Sequence, residues 1–321
     1  MKLIYLAVLA ILFSYACHRK ISAANTNNAN SANDTNGANG AGRTAYLDTR
    51  GNPMLLGTHP AEDLEQPPYG DWYNKNYAEY KIDSATAGLL RPLVKDKTFE
   101  LYMGTWCGDS KREIPRMLKI LNYAGVKPAQ FTLVMLDTHD SVYKQSPAHE
   151  EKGKDIHRVP ELLVYDAHHR EINRIIESPA VSLEKDLLHI MQGEVYISAY
   201  PGAGILIRRL KESAAANLPA DKEKLITELK PVVRNERDIN SLAWEWMRKS
   251  RPAEDKEKAL LALQINMALY PNAPLTYDLL ADLNVQLHHN EEAKKLYNKV
   301  LELQPENTKT KEKLAKLAEG K

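Results

Sequence analysis

The chain has little cysteine, no surplus of charge and no long apolar run, and each shortage excludes a class of protein. Two of its 321 residues are cysteine, Cys17 and Cys107. Their surroundings differ so much that no disulfide between them is expected, and no disulfide framework supports this fold. Lysine and arginine number 43 against 42 aspartate and glutamate, so there is no electrostatic footprint for nucleic acid or anionic lipid. The apolar run from Leu3 to Phe13 is too short to span a bilayer as a helix. The histidines show no tight spacing with cysteine or carboxylate. His139, His149 and His157, like the pairs His168-His169 and His288-His289, read as solvated loop residues, and no metal or other cofactor is expected. What remains, 43% hydrophobic and 26% charged, is ordinary globular material, long enough for two domains.

The first residues read as an address. Met1-Lys2 and the run Leu3 to Phe13 have the make-up of a signal-peptide core, expected over residues 1–16. Ser14-Tyr15-Ala16-Cys17 resembles a bacterial lipobox, although Phe13 stands where leucine is usual and Tyr15 is bulky. That resemblance implies a lipidated Cys17 as the mature N-terminus. Cleavage near Ser22-Ala23-Ala24 without lipid, or an uncleaved anchor, are the alternatives. Residues 17–45 are rich in Asn, Ala, Gly and Ser; such a segment cannot bury enough surface to offset its ordering entropy and reads as a tether. The arrangement implies a lipid-anchored protein of the bacterial cell envelope. With His18-Arg19-Lys20 and no acidic residue after Cys17, the outer membrane facing the periplasm is the expected site.

The centre of the chain is the decapeptide Trp106 to Pro115. Before it, Phe99, Leu101 and Met103 alternate with Glu100 and Tyr102 as in a strand. After it, Ile114, Met117, Leu118 and Leu121 share one helical face. Cys107 is thus expected where a strand ends and a helix begins, and the free N–H groups of a helix start favour a thiolate. Asp109 opposes the thiolate, whereas Lys111 and Arg112 favour it. Phe131 to Asp137 reads as a second, buried strand, and the polar stretch from Thr138 to Arg158 as partly helical. Glu161–Tyr165 and Glu171–Ile176 form a hairpin, and Leu183 to Met191 an amphipathic helix. Upstream, residues 46–70 look irregular. Trp72, Tyr73, Tyr77 and Tyr80 mark a helix packed on the domain in preference to a binding platform.

Trp106-Cys107-Gly108 with Pro115 eight residues after the cysteine resembles the active-site segment of the thioredoxin family, and the order βαβ then ββα resembles its fold. The resemblance covers about residues 71–193, within an expected domain of residues 46–193. It implies that Val159-Pro160 is the family's cis-proline. It also implies that Trp106, Gly108, Asp109, Asp137, Arg158, Val159 and Pro160 shape a substrate groove beside Cys107. One departure matters: the family's second cysteine is here Ser110. A hydroxyl can orient the Cys107 sulfur but cannot resolve a mixed disulfide. An autonomous dithiol reductase is therefore excluded. Monothiol exchange through Cys107, or an inert thiol in a fold retained for binding, are the two readings. Cys107-Gly108-Asp109-Ser110 also fits the pattern of monothiol glutaredoxins, from which Trp106 and the export signal point away.

Beyond an expected helical linker over residues 194–236, the chain repeats at 34 residues. Ala259 recurs as Ala293, Leu269 as Leu303 and Pro271 as Pro305, which resembles the tetratricopeptide pattern over residues 237–321. The fold class expected is an α/β thioredoxin-like domain followed by an all-α repeat domain. The resemblance implies a groove for envelope proteins or peptides; a structural extension is the alternative. Trp246, equivalent to Leu280, is expected in the core, and Trp244 at the groove.

Overall fold

The computed structural model describes residues 46–212 and 222–319. The expected signal peptide, Cys17 and the tether lie outside the described residues. The chain opens with a small antiparallel ribbon of β1 (Tyr46–Leu47) and β2 (Pro53–Met54), followed by β3 (Gly57–Thr58). Next come α1 (Gly70–Glu79), α2 (Ser84–Leu90), β4 (Thr98–Met103), α3 (Gly108–Ala124) and β5 (Phe131–Met135). The hairpin β6 (Glu161–Tyr165) and β7 (Glu171–Ile176) and the helix α4 (Leu183–Gln192) complete a mixed α/β region. Its sheet has the order β3-β5-β4-β6-β7, with β4 and β5 parallel and the other neighbours antiparallel. The edge strand β3 falls in the stretch expected to be irregular. Two residues are too short to show periodicity, and only their pairing with Val134 and Met135 makes them a strand.

Strand alternation divides the core between the two faces of the sheet. Phe99, Leu101 and Met103 pack with Ile114, Met117 and Leu121 of α3. Tyr102, Val134 and Leu163 face the other way and are covered by Ile156 and Val159. That cover is the polar stretch expected to be partly helical. It contains a single 3-10 turn, Asp140–Val142, and crosses the sheet with positive φ at Lys144, His149, Gly153 and Asp155. Because it roofs an apolar face, it buries polar residues, among them Lys144, Ser146, Asp155 and His157. The solvated role expected of His157 is therefore corrected: its residual exposure is 1%.

The rest is helical: α5 (Pro201–Glu212), α6 (Lys222–Leu229), α7 (Arg237–Trp246), α8 (Ala253–Leu269), α9 (Pro274–Gln286), α10 (Asn290–Leu303) and α11 (Thr308–Ala318). Two of the 34-residue pairs occupy equivalent buried places: Ala259 and Ala293 have no exposed surface, and Trp246 and Leu280 both lie in the helical core. The start of α5, within the expected linker, is clamped. Asp238 of α7 accepts hydrogen bonds from the N–H groups of Gly202 (2.7 Å) and Ala203 (3.0 Å). A Cβ on Gly202 would lie 2.7 Å from Ile239 Cγ1, so the approach requires glycine. Among the described residues no helix is long and apolar enough to cross a membrane.

The α/β and helical regions belong to one compact unit. Trp246 Nε1 donates to Asp155 Oδ1 (2.9 Å), buried Lys144 faces Glu245 of α7 (3.5 Å), and Arg248 donates to the Asp140 carbonyl. The helical region is thus docked on the loop that roofs the sheet.

Candidate active site around Cys107

Three chain segments meet at the Cys107 sulfur. The first is the end of β4. There the absence of a side chain at Gly104 lets the Trp106 indole fold back, since a Cβ at that position would lie 2.3 Å from the ring. The indole is held by a hydrogen bond from Nε1 to the Leu136 carbonyl (2.8 Å). The second is α3, for which Cys107 is the N-cap; its carbonyl accepts the Lys111 N–H (3.0 Å). The partial positive charge of the start of a 17-residue helix therefore lies at the thiol. The third is Val159-Pro160, whose peptide bond is cis. Cys107 Sγ, half-buried, donates to the Val159 carbonyl (3.3 Å).

Several residues singled out from the sequence are engaged otherwise. Ser110 is fully buried, and its Oγ accepts the Gly104 N–H (3.3 Å), where a bond to the sulfur was expected. The hydroxyl satisfies a buried backbone donor left by the turn into the helix. Asp109 pairs with Arg112 (2.8 Å), which also reaches Glu113 (2.6 Å), and Lys111 lies over the Trp72 ring. The charges set against one another in the sequence are spent on each other or on neighbours. Asp137 is buried and bonds the N–H and ring of His139, so it braces its own loop and does not line the cavity described next. Neither Gly108, Asp109 nor Pro160 lines it.

Cys107 opens into a cavity of about 530 Å³ between the two regions, within the range of small-molecule sites. Trp106, Tyr143, Arg158, Val159 and Glu177 line it from the α/β side; Arg237, Asn240, Ser241, Trp244, Leu275 and Leu279 from α7 and α9. Tyr143 bridges the two tryptophans, 5.7 Å from Trp106 and 6.0 Å from Trp244 between ring centroids, and Arg248 caps Tyr143 and Trp244. Tyr143, Lys144, His157, Glu177, Arg237 and the α9 leucines have no motif or spacing in the sequence that marks them. Trp244 alone carried a signal, as an aromatic beside a core position.

The electrostatics of the cavity are set by burial. Lys144 Nζ bonds the His157 carbonyl, and desolvation lowers its proton affinity while Glu245 partly restores it. Burial, with Lys144 and Arg158 nearby, holds His157 well below the ordinary histidine range, so it is neutral. Arg158 pairs with Glu177 (3.2 Å) and stacks on Tyr200, whose hydroxyl also donates to Glu177. Burial raises the Tyr143 phenol. Among the described residues no group of three or more metal-ligating side chains is assembled, and Cys107 is the one cysteine. The arrangement supplies one sulfur nucleophile, aromatic walls and basic donors, with no second thiol. No protein-family model matches the chain, and no curated protein is similar to it.

Proposed function

We propose that the protein is a thioredoxin-like monothiol exchanger whose C-terminal helices are tetratricopeptide-like. Its Cys107 thiolate attacks one sulfur of a disulfide R–S–S–R′, forming Cys107–S–S–R and releasing R′–S⁻. A thiolate R″–S⁻ of the substrate or the solution then attacks the R sulfur of the adduct, forming R–S–S–R″ and releasing Cys107 as the thiolate. The observation that carries this reading is the placement of Cys107 Sγ, at the start of α3, beside the Val159 carbonyl and open to the cavity. Envelope attachment through Cys17 is part of the same reading and rests on the sequence of residues 1–17 alone. The second reading, a binding protein without chemistry, is favoured by one feature: Ser110 stands where a resolving thiol is needed and is fully buried.

The test uses the full chain carrying Cys17→Ser, so that Cys107 is the sole thiol. Incubated folded with cystine, it should take up one half-cystine at Cys107, seen by mass spectrometry, and lose it on addition of a free thiol. An adduct that forms only after denaturation would identify Cys107 as an inert thiol and leave the binding reading.

A further inference from the structure

The cavity beside Cys107 is lined by His157, Arg158 and Arg237, each with a side-chain nitrogen lacking a protein partner among the described residues. His157 is only 1% exposed, and neither ring nitrogen makes a regular hydrogen bond among the described residues. The Asp155 backbone approaches the ring and favours its proton, without reaching the geometry of a regular hydrogen bond. Arg158 commits a terminal nitrogen to Glu177, while its buried Nε has no acceptor. Arg237, at the start of α7, lines the same cavity, and its guanidinium has neither ion pair nor hydrogen bond among the described residues. Arg237 is solvent-exposed, so its guanidinium is open to a ligand entering the cavity, and an arginine fork matches a carboxylate in two places. Against this stands an apolar wall. Trp244 and Leu275 are 42% and 46% exposed, unusual for residues of their size, and both face the cavity.

We infer that the Cys107 cavity takes a disulfide with an apolar or aromatic body and a carboxylate, the carboxylate seated on Arg237 and the body on Trp244. The helical region is then the second wall of the reactive site and sets its specificity. This rests on the exchange reading above. The reaction is the same, with the anionic half either retained on Cys107 or released as the thiolate. A small aromatic disulfide and a peptide ending in cysteine share this chemistry, and the test separates them.

Full-length protein carrying Cys17→Ser is mixed with dithiobis(nitrobenzoate), which bears carboxylates, and with uncharged dithiodipyridine, and thiolate release is followed by absorbance. Loss of one charge-assisted hydrogen bond in Arg237→Ala should slow the carboxylate disulfide about tenfold and leave the pyridine disulfide unchanged; Trp244→Ala should slow both. The second arm uses the oxidised dimer of Phe-Cys with a free or an amidated C-terminus. A free-carboxylate advantage that Arg237→Ala abolishes identifies a peptide end as the source; sensitivity confined to the nitrobenzoate identifies a small molecule. Equal rates for charged and uncharged probes, or equal slowing of both by Arg237→Ala, overturn the inference and leave exchange intact. To keep the two readings apart, a non-thiol methylthio-nitrobenzoate is titrated into the Cys107→Ser variant by tryptophan quenching. Binding there that Arg237→Ala weakens supports the carboxylate seat even where Cys107 fails to react, and absence of binding overturns it.

Discussion

Ser110 shows how one atom separates two chemistries. Its hydroxyl is fully buried and accepts the Gly104 N–H, tying the end of β4 to the first turn of α3. A thiol is a weaker acceptor, so Ser110→Cys should cost about 1–3 kcal/mol, the usual penalty for a buried donor left unsatisfied. Positions 107 and 110 are three residues apart at a helix start, a spacing within the reach of a disulfide. Ser110→Cys in the Cys17→Ser background is expected to oxidise to an internal disulfide and to release the half-cystine adduct without added thiol. Urea unfolding measures the cost and a thiol titration the bond; an adduct that persists would show that geometry, not the missing sulfur, prevents resolution.

At the scale of the element, the hairpin β6–β7 carries a buried charge cluster on its inner positions. Glu161 and Arg174 are 2.6 Å apart, and Arg174 also meets Glu171 at 2.6 Å. Burial outweighs Arg174 at Glu161, pushing its carboxyl up from the ordinary 4.5 to about 7. At Glu171 burial is outweighed by Arg174 and Lys211, which hold the carboxyl down to about 2. A carboxyl whose folded value is raised binds its proton more tightly when folded. Its contribution is full below 4.5 and is lost as pH rises to about 7. The Glu171 contribution runs the other way, present above 4.5 and fading as pH falls toward about 2. His157, held neutral by burial, likewise contributes above its ordinary 6.5 and loses that contribution below it. These slopes overlap, so the difference between wild type and Glu161→Gln is the quantity to measure. Relative to the variant, wild type should lose stability between pH 4.5 and about 7, read as urea midpoints. A pH-independent difference would mean that Glu161 stays ionised throughout.

At the scale of the molecule, Glu245 of α7 joins the two regions. It lies 1% exposed between Lys144 of the roofing loop (3.5 Å) and Arg251 (3.1 Å). Removing the shared anion leaves two buried cations without their partner, a change that typically costs about 3–5 kcal/mol. Glu245→Ala should therefore lower the unfolding midpoint of the full chain and release the Trp106–Tyr143–Trp244 contact first, so that tryptophan fluorescence changes before helical circular dichroism. A loss below about 1 kcal/mol, the scale of a solvated pair, would show that water reaches Lys144.

Local order was legible without coordinates. Strand alternation identified β4, and two short runs either side of a turn identified the hairpin, to the residue. The 34-residue interval located α8 to α11 within a few residues, because each repeat buries the same positions. The sequence also determined that a single sulfur, Cys107, stands at the start of a helix. Of what faces that sulfur, the resemblance implied Arg158 and Val159, and tertiary structure alone decided the rest. The roofing loop has no period, so its buried Lys144 and His157 gave no sign in the chain. Arg237, Trp244 and Leu275 stand well over a hundred residues after Cys107 and reach its cavity only because α7 docks on that loop. Burial of a helix face is a local property of sequence, whereas the meeting of two exposed faces depends on every contact that brings them together.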